Sequence, residues 1–181
     1  MEKIDLQQLN FVEATKADIP AMTDVMTRSF DDDSQRFQGK PEGGPDGYND
    51  GRFFKLWMQK GKCWKILYGE RIIGAFLIFE NYPQKGSNVL GTIFLDPEFQ
   101  NQGIGSFVMN YVHRTFPAKR WVLDTPEWHT RNHHFYEKLG YRKVGEQEEP
   151  HAGFLLRVYQ KEMSGVASGG GMQPLFRCLV M

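Results

Sequence analysis

Apolar and polar residues alternate in LNFVEA near the start of the chain, and Ile19, Met22, Val25, Met26 and Phe30 then recur at helical spacing. The first pattern predicts a strand. The second predicts an amphipathic helix that Thr15 or Asp18 can cap, with Pro20 tolerated in its opening turn. Asp31, Asp32 and Asp33 come next. Three carboxylates at a helix C-terminus oppose the macrodipole, so the helix is expected to end at or before them. The segment from Ser34 to Gly51, rich in Gly, Pro and Asp, reads as a long mobile loop ahead of a short helix in GRFFKLWMQK.

CWKILY, the turn GE and RIIGAFLIFEN predict a hairpin of two apolar strands, and SNVLGTIFLD adds a third after the turn PQKG. Ile104, Phe107, Val108, Tyr111 and Val112 then mark the buried stripe of a second long helix, with Asn110, His113 and Arg114 facing outward. RWVLD, the helix NHHFYEKL, and the strands YRKVGEQ and GFLLRVYQK follow. About seven strands interleaved with four helices make an α/β fold built on a mixed sheet. The expected organisation is a single domain over 1–163, followed by a glycine-rich linker and short apolar tail over 164–181.

Composition narrows the partners. At 181 residues the chain can bury a proper core, and Lys plus Arg balance Asp plus Glu at 22 each, so no global field draws it to nucleic acid or an anionic membrane. Trp57, Lys62 and Trp64 do not form a nucleic-acid platform. Cys63 and Cys178 make no disulfide framework and suit a reducing cytosol. With no apolar run approaching the ~20 residues of a membrane span and no basic start to MEKIDLQQLN, a soluble cytoplasmic protein is expected. His129 and His133 lie four residues apart, but the intervening residues lack the zincin pattern and no third ligand is evident, so no metal is expected.

The chemistry concentrates where the strand TIFLD runs through the turn PEFQNQGIG into a helix. The last amides of such a turn and the first of the helix have no intrahelical acceptor, and the macrodipole is positive there, so the turn is a pocket for an anion such as a pyrophosphate. Gly103 and Gly105 have matching uses. One allows a backbone conformation closed to residues with a Cβ, and the other lets phosphate oxygens approach the chain. The Walker loop fails here for want of a Lys followed by Ser or Thr, and the dinucleotide fingerprint for want of a third glycine and a later acid.

QNQGIGS does match Gln/Arg-x-x-Gly-x-Gly/Ala through Gln100, Gly103 and Gly105, and downstream RNHHFYEKLGYRKVGE supplies an Asn, an aromatic-Tyr pair, a Glu-Lys and a Gly-Tyr helix exit. These two blocks, in this order, resemble the GCN5-related N-acetyltransferases over roughly 91–146. The resemblance implies a mixed, mostly antiparallel sheet of about seven strands flanked by helices and splayed between the fourth and fifth strands. It implies acetyl-CoA as cosubstrate, with the pyrophosphate on Gln100, Asn101, Gln102, Gly103, Ile104, Gly105 and Ser106. Main-chain groups of Ile93, Phe94 and Leu95 would hold the pantetheine arm, a Phe94-region N–H serving as oxyanion donor.

By the same resemblance Asn132 and Phe135 join the cofactor-binding residues, and the Tyr136 phenol protonates the departing thiolate as direct transfer to an amine proceeds. Asn132 is equally suited to capping the helix that it opens, and Tyr136 to core packing. The family's strand glutamate has no counterpart in Asn88, Val89, Leu90 and Gly91. A base must then come from Glu80, taken as the catalytic candidate, from Asp124, Glu127 or His129, or from a water chain. The expected acceptor is a primary amine, small-molecule or peptidic, and Asp31–Asp33, Glu42, Asp46 and Glu80 would favour a cationic one. A catalytically silent acyl-CoA binding or sensing module is the alternative. Such folds often pair, which makes a homodimer a further expectation.

Overall fold

The computed structural model describes residues 4–149 and 153–164. Its strands are β1 (Leu9–Glu13), β2 (Lys62–Tyr68), β3 (Arg71–Phe79), β4 (Ser87–Leu95), β5 (Arg120–Pro126), β6 (Arg142–Glu148) and β7 (Leu155–Glu162). The α-helices are α1 (Ile19–Gln38), α2 (Arg52–Trp57), α3 (Ile104–Thr115) and α4 (Thr130–Lys138). The strands form one sheet in the order β1-β2-β3-β4-β5-β7-β6, parallel between β4 and β5 and antiparallel in the β1–β2, β2–β3, β5–β7 and β6–β7 pairs. This is the mixed α/β architecture expected from the sequence.

One element runs past its expected end. Helix α1 continues through Asp31, Asp32 and Asp33 and stops only at Gly39, whose φ of 65° supplies the left-handed C-cap. The penalty of an acid near a helix C-terminus fades within the last turn, and these acids sit more than a turn before it. Two of them also gain local partners. Asp32 pairs with Arg36 at 2.8 Å across one helical turn, and Asp31 accepts the Tyr48 hydroxyl at 2.6 Å and the Gly43 amide at 3.2 Å. Ser34 Oγ donates to the Glu42 carbonyl at 3.0 Å. The segment after α1, expected as a loose loop from Ser34, therefore starts later and is tied back to the helix.

Contacts group the described chain into two compact, discontinuous units. The first comprises the residues up to Ile78 together with Thr92–Thr115, and the second Phe79–Gly91 together with the residues from Phe116 onward. In the first, Met22 and Met26 of α1, Ile66, Ile73 and Phe76 of the sheet, and Ile104, Val108, Met109 and Val112 of α3 are fully buried. Phe11, Trp64, Phe76, Phe107 and Tyr111 form an aromatic cluster, Phe11 and Tyr111 having ring centroids 4.3 Å apart. Phe107 and Tyr111 thus pack as the helical stripe predicted, although half-buried, and Met109 joins the core beside them.

The second unit centres on Trp121, Val122, Leu123, Tyr136, Tyr141, Leu156 and Tyr159, all buried. Its β4–β5 ladder covers Ser87–Arg120, Asn88–Trp121 and Val89–Val122, whereas β5 pairs with β7 over its whole length from Arg120 to Pro126. The linker and apolar tail expected from residue 164 lie outside the described residues, save Ser164.

Candidate active site

The turn after β4 has the backbone that an anion site requires. Gly103 takes φ 81°, Asn101 takes φ 60°, and α3 opens at Ile104. Left-handed residues in such a turn swing successive amides to one side, where they form a concave anion site. A Cβ built on Gly103 would meet no atom within 4 Å, so its side faces open space, and the left-handed backbone is what calls for glycine. Gly105 lies inside α3, half-buried. The ends of the turn are stiffened by side chains, Gln100 Nε2 donating to the Leu95 carbonyl at 3.1 Å and Gln102 Nε2 to the Glu98 carbonyl at 2.9 Å.

Strand β4 leads into this turn with a defined amide direction. The Asp96 N–H donates to the Ile73 carbonyl of β3 at 2.8 Å, and the Phe94 carbonyl also faces β3, since a Cβ on Gly74 would lie 2.3 Å from it. Period-2 alternation then turns the main-chain groups of Ile93 and Leu95 away from β3. The Phe94 side chain is core, packed with Phe30 and Phe54 at ring distances of 6.4 and 6.1 Å.

In the second unit, β5, β7 and α4 assemble a partly buried polar group. Asn132 Nδ2 donates to Thr125 Oγ1 at 3.2 Å, Arg157 Nη1 meets His133 Nδ1 at 3.1 Å, and the Tyr159 hydroxyl donates to Glu137 at 3.1 Å. Helix α4 thus covers the sheet face bearing Leu123, Thr125, Arg157 and Tyr159. Tyr136 is buried on that face against Phe135, Tyr141 and Tyr159, with ring centroids 5.2, 5.9 and 6.4 Å away. Asp124, the neighbour of Thr125 in β5, belongs to the opposite face by strand alternation. Its Oδ2 accepts Gln147 Nε2 from β6 at 2.9 Å, and the residue is only 5% exposed.

The helix opens differently from the expectation. Helix α4 begins at Thr130, two residues before Asn132, and its cap is His129, whose Nδ1 accepts the Asn132 amide at 3.4 Å. The Asn132 side chain is thereby free of capping and reaches β5. His133 has both ring nitrogens engaged. The Pro126 carbonyl, 2.9 Å from Nε2, can only accept, and the Arg157 guanidinium can only donate, so Nε2 carries the proton and Nδ1 is the acceptor. Burial, with the Arg157 charge, holds its pKa below the usual imidazole value despite the Pro126 carbonyl. A neutral His133 committed at both nitrogens is no metal ligand, and the described residues contain no cluster of three or more His, Cys, Asp or Glu suited to a metal.

The remaining candidate acids are distributed unevenly. Glu127 accepts the Leu155 amide at 3.3 Å, and Glu80 is exposed in the turn after β3. Asp46 pairs with Arg52 at 3.1 Å, and Asp31 is tied to Tyr48, whose own pKa is pushed up to about 12 by burial and by that carboxylate. A groove of about 920 Å³ opens in the first unit between the start of α1 and α2, lined among others by Lys16, Pro20, Asp24, Phe54 and Lys55. None of the residues expected to bind cofactor lines it. The sequence did not point to Thr125, Gln147 or Arg157, whose partners lie 7 to 24 positions away.

Residues 26–141 match the model of the acetyltransferase (GNAT) family. The chain belongs to that family. It is an acetyl-CoA dependent acyltransferase, with acetyl-CoA as cosubstrate. Among solved structures, the fold is similar to an acetyltransferase from Thermus thermophilus, at 15% identity and a TM-score of 0.69 over 88% of this chain and 100% of that one. It is also similar to the ribosomal-protein-S18-alanine N-acetyltransferase from Escherichia coli (12% identity, TM-score 0.65, 91% and 99% covered). A GNAT acetyltransferase from Elizabethkingia anophelis with acetyl-CoA bound matches at 16% identity and TM-score 0.59, with 86% and 99% covered. No curated protein compared with the chain matches it. No helix among the described residues is long and apolar enough to cross a membrane.

Proposed function

We propose that this acetyltransferase acts on a primary amine, small-molecule or peptidic, by direct transfer, with Tyr136 as the acid and Asp124 as the base. Direct transfer makes opposite demands on two sides of one carbonyl carbon, because the amine approaches from one side and the sulfur departs from the other. The observation that carries the reading is that β5 presents these two groups to opposite faces, Tyr136 through α4 and Asp124 through strand alternation. When bound, acetyl-CoA supplies an activated thioester. The chain's own groups then orient it and move protons. Tyr136 Oη gives a proton or hydrogen bond to the sulfur, and Asp124 accepts one from the amine.

The pyrophosphate would rest on the amides of Gln102 to Ser106, aided by Gln100 and Asn101, and the pantetheine arm on β4. There the outward-facing groups of Ile93 and Leu95 suit the arm and the carbonyl oxygen better than Phe94, whose carbonyl faces β3. Asn132 and Phe135 would contact the cofactor from α4. Glu80 competes with Asp124 as base, but it is exposed in the turn after β3, whereas Asp124 is buried in β5.

A panel of small amines and peptides with free N-termini, read by release of free thiol, tests the reading. Asp124→Asn should lower turnover by about 10²-fold and Glu80→Gln by less than about twofold. The reverse ranking would transfer the role of base to Glu80. Cofactor binding without thiol release for every amine would leave a silent acyl-CoA binding module.

A further inference from the structure

We propose that Asp96 is the positioning residue of the cofactor turn, its carboxylate bolting the corner between β4 and the pyrophosphate-binding amides to α1 and β3. The proposal rests on acetyl-CoA binding at the Gly103 turn and adds the device that aims it. Asp96 stands between the last residue of β4 and the 3-10 turn Pro97–Phe99. Its side chain is 2% exposed, yet three elements meet on it. Oδ2 accepts Arg28 Nη2 of α1 at 2.7 Å and Arg71 Nη2 of β3 at 3.1 Å, while Oδ1 accepts the Glu98 amide at 3.3 Å. Its main chain is committed too, the N–H to Ile73 and the carbonyl to the Phe99 amide at 2.8 Å.

Arg71 extends the bracket, with Nη1 on Glu98 at 2.9 Å and its guanidinium 5.0 Å from the centre of the Phe99 ring. Burial works to raise the Asp96 pKa, but Arg28, the Glu98 amide and Arg71 hold it below the ordinary carboxylate value, so the bracket is charged at neutral pH.

The charges within this bracket explain why aim matters. Two arginines face two carboxylates, Asp96 and Glu98, so both cations of the bracket are already paired. Attraction for phosphate then falls on amide dipoles, which act at short range and only along their own direction. A corner that tilts misdirects all of them together. Asp96 touches neither phosphate nor acetyl group in this account; it acts through the backbone from Pro97 to Gly103.

The test compares CoA with pantetheine, which shares the thiol arm but carries no phosphate, by calorimetric dissociation constants. Wild type should bind CoA at least about 10²-fold more tightly. Asp96→Asn keeps the shape and one acceptor but leaves two guanidiniums on a neutral partner. It should narrow that ratio by about tenfold, below the 10²-fold that a full ångström of misplacement can cost, with pantetheine affinity unchanged.

Arg71→Gln, on the half-exposed side of the bracket, should narrow the ratio in the same direction by about threefold, and it decides the matter if Asp96→Asn does not fold. An unchanged ratio in the folded variants, or equal weakening of CoA and pantetheine, overturns the positioning role while leaving the Gly103 site intact. Equal binding of the two ligands by wild type overturns the site itself and the proposal with it.

Discussion

Helices α3 and α4 both follow a strand and a short turn, but their N-termini have opposite fates. Helix α3 is entered through Gly103 at φ 81°, and its turn carries exposed residues at Asn101 and Gly103. Helix α4 is entered through His129, buried to 3% exposure, whose ring accepts the Asn132 amide. The same dipole therefore serves two ends. At α3 a left-handed glycine stands where the helix opens, whereas at α4 a side chain has occupied one of the opening amides. A helix N-terminus becomes an anion site only where the chain withholds its own cap.

Gly103→Asp attacks this contrast most directly, because it gives α3 the acceptor that α4 already has. Aspartate tolerates a left-handed backbone better than most residues, and no atom lies within 4 Å to clash with its Cβ. Its carboxylate would occupy the amides and repel phosphate; at about 4 Å and an effective dielectric near 20 that costs about 4 kcal/mol. CoA affinity, measured by calorimetry, should fall by at least about 10²-fold with the fold retained. Affinity within a factor of about two of wild type would remove the turn as the phosphate site.

Tyr136→Phe probes what α4 carries. The ring and its contacts with Tyr141 and Tyr159 remain, so melting temperature and CoA affinity should hold while kcat falls by about 10²-fold. An unaltered kcat, with chemistry shown to limit the rate, would return Tyr136 to a packing role.

His129→Ala opens the capped end. Loss of a helix cap typically costs about 1 kcal/mol, to be read by urea denaturation, and CoA affinity should move by less than about twofold because exposing an amide at α4 creates no left-handed turn there. A gain of phosphate affinity at this end would show that the cap alone separates the two helices.

The smallest effect concerns His133. Its native pKa is depressed by burial and by Arg157, so below pH 6.5 the unfolded chain binds a proton that the folded one refuses. Stability is therefore fully present above the ordinary value, falls as pH drops below it, and levels off once the native pKa has been passed. His133→Asn should flatten this acid-side slope without altering CoA binding. A slope unchanged in the variant would assign the titration to another group.

The sequence by itself determined what depends on neighbours along the chain. The hairpin of β2 and β3 followed from apolar runs around Gly69 and Glu70, the helical stripes from their spacing, and the turn before α3 from a glycine whose need is a matter of local backbone conformation. Local rules also misled: the acids at 31–33 signalled the end of α1, but they were compensated by Arg36 one turn on and by Tyr48 across a loop.

Tertiary structure decided which side chains meet. Asp96 joins Arg28 and Arg71 from 68 and 25 positions away, and no periodicity encodes that meeting. Asp124 reaches Gln147 across β7, the last of the described strands, which inserts between β5 and β6. The physical reason is range. A helix turn or strand alternation correlates residues over a few positions, whereas a buried carboxylate is partnered by whatever the strand order brings to its face of the sheet.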